Sequence, residues 1–113
     1  MIARAVSEMV ARLTAGGVRA GSHAADLAPP AVLVQPPTLT YGFGGDHAEA
    51  RWELLAAVPD AGPQALQGLS DLVEQTRAAL GYEVVTATAS AVTLSEGAPV
   101  PAYRLELTTD IGG

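Results

Sequence analysis

Ala48-Glu49-Ala50-Arg51-Trp52-Glu53-Leu54-Leu55-Ala56-Ala57-Val58 fixes the architecture around it. Ala50, Trp52, Leu54, Ala56 and Val58 fall on one side of an extended chain, and Glu49, Arg51 and Glu53 on the other. That two-residue period predicts a β-strand over 48–58 with a buried face and a charged face. Leu55 and Ala57 make its far end apolar on both faces, so that end should be covered on both sides.

Working toward the N-terminus, Gly44-Gly45-Asp46 is a turn signal, and Thr38–Phe43 alternates loosely as a second strand. The two strands form a long hairpin whose charged end lies near the turn. Ala31-Val32-Leu33-Val34 is a continuous apolar run closed by Pro36-Pro37, which predicts a strand covered on both faces. Residues 18–30 read as a connecting segment. Residues 3–15 read as a first helix, with Ile2, Val6, Met9, Val10 and Leu13 on one face and Arg4, Glu8 and Arg12 on another. Gly16-Gly17 stops it.

Toward the C-terminus, Pro59-Asp60-Ala61-Gly62-Pro63 is a loop. A second helix follows over 64–80, with Leu66, Leu69, Val73, Thr76 and Leu80 as its apolar stripe, widened by Ala65 and Leu72. Gly81 is its stop. Residues 84–94 and 102–109 form a second hairpin about the turn at 95–99, with Tyr103, Leu105 and Leu107 inward and Arg104 and Glu106 outward. Residues 110–113 read as a short flexible end. The prediction is one domain over 1–113 of α/β composition, more narrowly α+β. It has a mixed, mostly antiparallel β-sheet with two main helices, in the order α-β-β-β-α-β-β.

Composition narrows the function. The chain has 113 residues and no cysteine, which excludes disulfides and thiolate metal sites. Apolar residues make up 49% of it, yet alanine alone supplies 22 and there is one Phe and one Trp. A core of Ala, Val and Leu buries little area per side chain, so burial against a partner would add what the monomer lacks. The net charge is −6, all from residues 48–113, which hold three Arg and nine acids. No basic stripe is present to grip a phosphate backbone. No apolar stretch approaches the ~18–20 residues that span a bilayer. Glu8 and Arg12 interrupt any leader-like segment, so the chain reads as soluble and unprocessed.

Few residues suggest chemistry. Gly42-Phe43-Gly44-Gly45 is followed by a strand, whereas a phosphate-cradling loop opens a helix. His23 with Asp26, and Asp46 with His47, could bind a metal if their loops met, but the spacing fits solvated loop residues better. None of Ser22, Ser70, Ser90 and Ser95 sits in a nucleophile elbow. Glu49 and Glu53 flank Arg51 on an outward face, where a solvated surface explains them better than acid–base catalysis. The reading is of a protein with no enzyme activity, no cofactor and no metal.

Ala-Pro-Pro-Ala-Val-Leu-Val-Gln-Pro-Pro (residues 28–37) resembles a stretch in tail terminator proteins of long-tailed phages that infect actinobacteria. There an N-terminal helix precedes Pro-Pro-Ala-x-x-Val, and a long aromatic-bearing strand follows, here Arg51-Trp52-Glu53-Leu54. A polar loop leads to a second helix, here Gln64 to Leu80, and the closing strands end in Ala102-Tyr103-Arg104-Leu105-Glu106-Leu107. In element order and length the resemblance covers nearly the whole chain.

The resemblance implies a homo-oligomeric ring, usually a hexamer, in the virion at the head–tail interface. Such a ring caps the tail tube protein, stops its polymerisation and offers a docking surface to the head-tail connector or stopper protein. DNA passes through the lumen without sequence-specific binding, and an acidic subunit would suit that passage. The alternatives are a stopper or adaptor ring of the same assembly, or a small bacterial ligand-binding domain. A ring needs two different, complementary patches on each subunit. The candidates are helix one, the charged face of residues 48–53 and the 95–101 loop. Within these, Arg4, Arg12, Arg51 and Arg104 are candidate partners for a neighbour's acids. Trp52 is either core filler or an interface anchor.

Overall fold

A computed structural model describes residues 2–42, 47–59, 63–82, 85–92 and 99–112. Helix α1 (Ile2–Ala15) is followed by a two-residue strand β1 (Ala20–Gly21) and a 3-10 turn at Ala24–Asp26. Strands β2 (Ala31–Val34), β3 (Thr38–Tyr41) and β4 (His47–Ala57) come next, then helix α2 (Pro63–Ala79) and strands β5 (Thr86–Val92) and β6 (Val100–Gly112). Two helices and a six-stranded, mostly antiparallel sheet make an α+β fold, in the predicted order apart from β1.

Strand β4 is the centre of the sheet. Strand β6 pairs along its whole length, from His47 opposite Gly112 to Ala57 opposite Ala102. Its other edge is divided: β3 takes residues 48–51 and β2 takes residues 54–57. Strand β1 runs parallel to β2, and β5 closes the far side against residues 100–106 of β6. Both expected hairpins are present, 38–41 with 48–51 and 86–92 with 100–106.

Both helices cover one face. Ala50, Trp52, Leu54, Ala56 and Val58 lie beneath them in the main core, with Val32 and Val34 of β2 and Leu105 and Leu107 of β6. The helices contribute Ala5, Met9 and Leu13 from α1, and Ala65, Leu69 and Leu72 from α2. A smaller cluster on the opposite face joins Leu33, Ala57 and Ala102, with Ala24, Leu27, Leu55 and Val100 packed against it. All four residues of β2 are therefore buried, as the uninterrupted apolar run implied.

Glycine ends both helices by the same device. Gly17 at φ +85° lets the Val18 N–H reach the Leu13 carbonyl (3.0 Å) and the Gly17 N–H reach that of Thr14 (3.0 Å). Gly81 at φ +71° lets the Tyr82 N–H reach the Arg77 carbonyl (2.9 Å) and the Gly81 N–H that of Ala78 (3.1 Å). These paired bonds satisfy carbonyls that a helix end leaves free. Gly16 serves the packing of one helix on the other, since a Cβ there would lie 2.4 Å from that of Ala79.

Four expectations are corrected. Residues 110–112 are paired strand, because β4 offers backbone partners as far as His47. The connecting segment 18–30 contains β1 and the 3-10 turn, whose Ala24 and Leu27 neighbour the second cluster. The stripe of α2 is centred on Ala65, Leu69, Leu72 and Thr76, while Leu66 is 70% exposed. Ile2 is also exposed, where helical spacing had set it on the buried face of α1. Phe43, the 44–46 turn, and residues 84, 93 and 94 lie outside the described residues.

Candidate functional site

The sheet face away from the helices has two zones. At one end it is apolar and partly covered around Leu33, Ala57 and Ala102. At the other, Glu49, Arg51 and Glu53 of β4 stand beside Glu106, Thr108 and Asp110 of β6, with Thr38 and Thr40 of β3 on the flank. Glu53 and Glu106 are direct cross-strand partners, an arrangement that repels. Arg104 answers it: its Nη1 donates to Glu53 Oε1 at 3.3 Å, and its Nε lies 3.7 Å from Glu106 Oε1. The Nε is buried and makes no hydrogen bond, so that second contact is an ion pair alone. The acids and Arg104 are each a little under half exposed, so water screens the network.

The second feature is the outer strand. Residues 86–91 of β5 are exposed on both faces, and among the described residues the strand pairs with β6 on one side only. Its backbone N–H and C=O groups on the other side form an open edge. Native sheets usually blunt such edges with charge, proline or a bulge, but Thr86-Ala87-Thr88-Ala89-Ser90-Ala91-Val92 contains neither charge nor proline. Ala87 and Ala89 point to the helix side, opposite Leu105 and Tyr103. A groove between α2 and β5 is lined there by Leu66, Leu69, Val73, Ala87 and Tyr103, with the polar Gln67, Ser70 and Glu74 also on its wall. Sequence reading located β5 and missed its openness, although the run of small uncharged residues was the available signal.

The predicted interface residues have separate fates. Arg104 is committed within the subunit to Glu53 and Glu106. Arg12 donates from Nη2 to the Leu80 carbonyl at 2.7 Å, tying α1 to the end of α2. Arg4 lies on the exposed face of α1, paired with Glu8 at 3.1 Å. Arg51 is exposed between Glu49 and Glu53, with Thr38 and Thr108 across the strands. Of its two readings Trp52 takes the core-filler one: it is 2% exposed in the core, and its indole N–H donates to Thr109 Oγ1 at 2.9 Å. Arg51 and Arg104 share the outer sheet face, four residues apart in register, and Arg12 and Arg51 line one cavity beside the end of β6. Of the 95–101 loop, residues 95–98 lie outside the described residues.

His23 is exposed, and Asp46 and Ser95 lie outside the described residues. Among the described residues, no group of three His, Cys, Asp or Glu is close enough to hold a metal. Among the described residues, no helix is long and apolar enough to cross a membrane. Comparison of the chain with protein-family models, with curated proteins and with solved structures returns no match.

Proposed function

We propose that this chain is a structural subunit that assembles head to tail into a closed ring, as a tail terminator of a long-tailed phage. The observation that carries the reading is the open, uncharged edge of β5 beside the groove lined by Leu66, Val73 and Tyr103. An unguarded edge strand is a template for another strand. An edge joined to a different patch of the next copy is the heterologous contact from which rings are built. The resemblance of residues 28–37, and of the element order around them, supplies the kind of ring.

In this reading six copies cap the tail tube in the virion, stop its growth and receive the head connector. The chain has no catalytic role and holds no cofactor. The acid-rich second half suits a channel through which DNA slides without being held. Light scattering after size exclusion, alone and with tail tubes, tests it. The expected particle has about six times the 11.5 kDa of one chain, in solution or as a cap on the tubes. A strict monomer that ignores tubes overturns the reading.

A further inference from the structure

The geometry points to antiparallel pairing of β5 of one copy with β3 of the next as the contact that joins subunits, an inference that rests on the ring reading above. Strand β3 is the counterpart of β5 on the other side of the sheet. Among the described residues it pairs only with β4, and Thr38, Thr40 and Tyr41 are exposed. Its sequence, Thr38-Leu39-Thr40-Tyr41, is also free of charge. In a chain of net charge −6, these two edges can meet with no charged side chain on either strand.

Strand direction selects the same pair. Strand β3 is antiparallel to β4, β4 to β6, and β6 to β5, so β3 and β5 run in opposite senses within one subunit. A ring with strands near its axis preserves direction from copy to copy, so β5 meets the next β3 antiparallel. Side chains match on both faces. On the outer face Thr86, Thr88 and Ser90 would join Thr38 and Thr40 in a hydroxyl ladder. On the helix face Leu39 and Tyr41 would lie over Ala87 and Ala89 and enter the groove beside Leu66 and Val73. Large side chains thus meet small ones.

The pairing is staggered. The middle of β5, at Ala89, is level with Ala56 of β4, while the middle of β3 is level with Ala50 and Glu49. Six residues of offset correspond to about 20 Å along the strands. Closed sheets accommodate such shear by tilting their strands from the axis.

The absence of native cysteine makes cross-linking a clean test. Thr40→Cys is combined in turn with Thr86→Cys, Thr88→Cys and Ser90→Cys, all exposed outer-face positions, and each variant is oxidised after assembly. A covalent ladder of multimers is expected for the pair in register. None is expected when Thr40→Cys is combined with Ala87→Cys or Ala89→Cys, which face the helices. Ala89→Lys, an exposed substitution that leaves the fold intact, is expected to abolish assembly. Rings without a ladder from any outer-face pair, or rings unaffected by Ala89→Lys, overturn the pairing and leave the ring reading standing. A chain that stays monomeric with and without tubes overturns both.

Discussion

Arg104 shows how one side chain sets the balance on a strand surface. It lies between Glu53 and Glu106, which would otherwise face each other unrelieved. Arg104→Met should therefore lower stability by about 0.5–1 kcal/mol, less in high salt. Adding Glu106→Gln should recover most of the loss, as a double-mutant cycle in urea would show. Trp52 is the opposite kind of residue, wholly internal. Trp52→Ala should cost about 3–5 kcal/mol, read from the urea midpoint. The alternation in 48–58 made the facing of Trp52 legible in the sequence, and that in 102–109 the facing of Arg104. What stayed hidden was whom they touch: Arg104 was a candidate partner for a neighbour's acids, and within its own chain it meets acids 51 and two residues away. Arg12 was hidden likewise, because its acceptor, the Leu80 carbonyl, is a backbone atom that side-chain pattern does not encode.

Among the elements, the strands of β4 and β6 were legible because half-buried antiparallel strands alternate cleanly. Helix α2 was legible in extent, while its orientation was not. Leu66 belongs to a stripe at helical spacing, yet α2 turns Ala65, Leu69 and Leu72 to the sheet and leaves Leu66 in the groove. Leu66→Gln should leave monomer stability within about 0.5 kcal/mol and weaken ring assembly, as paired denaturation and light-scattering measurements would show. Gly16 makes the converse case. Gly16→Ala forces a methyl into Ala79 where the helices touch, so it should destabilise the fold by about 1–3 kcal/mol. Ala79→Gly in the same chain should restore part of it. Sequence reading saw Gly16 as a helix stop, whereas Gly17 carries the positive φ and Gly16 the close approach. The short strand β1 gave no signal because two residues carry no period.

At the scale of the molecule, charge and edges act together. Copies of net charge −6 repel at long range, so the proposed ring assembly should strengthen as salt rises from low to physiological levels. Duplex DNA should not be retained by the protein even at low salt, in a mobility-shift assay. Assembly and folding can be followed separately because of where the single indole sits. Trp52 is shielded from water and far from polar solvent relaxation, so its emission should be blue in the free chain and stay blue in the proposed ring. Its red shift will report loss of the core alone. The protein thus carries its own optical gauge of folding, one that is silent to association.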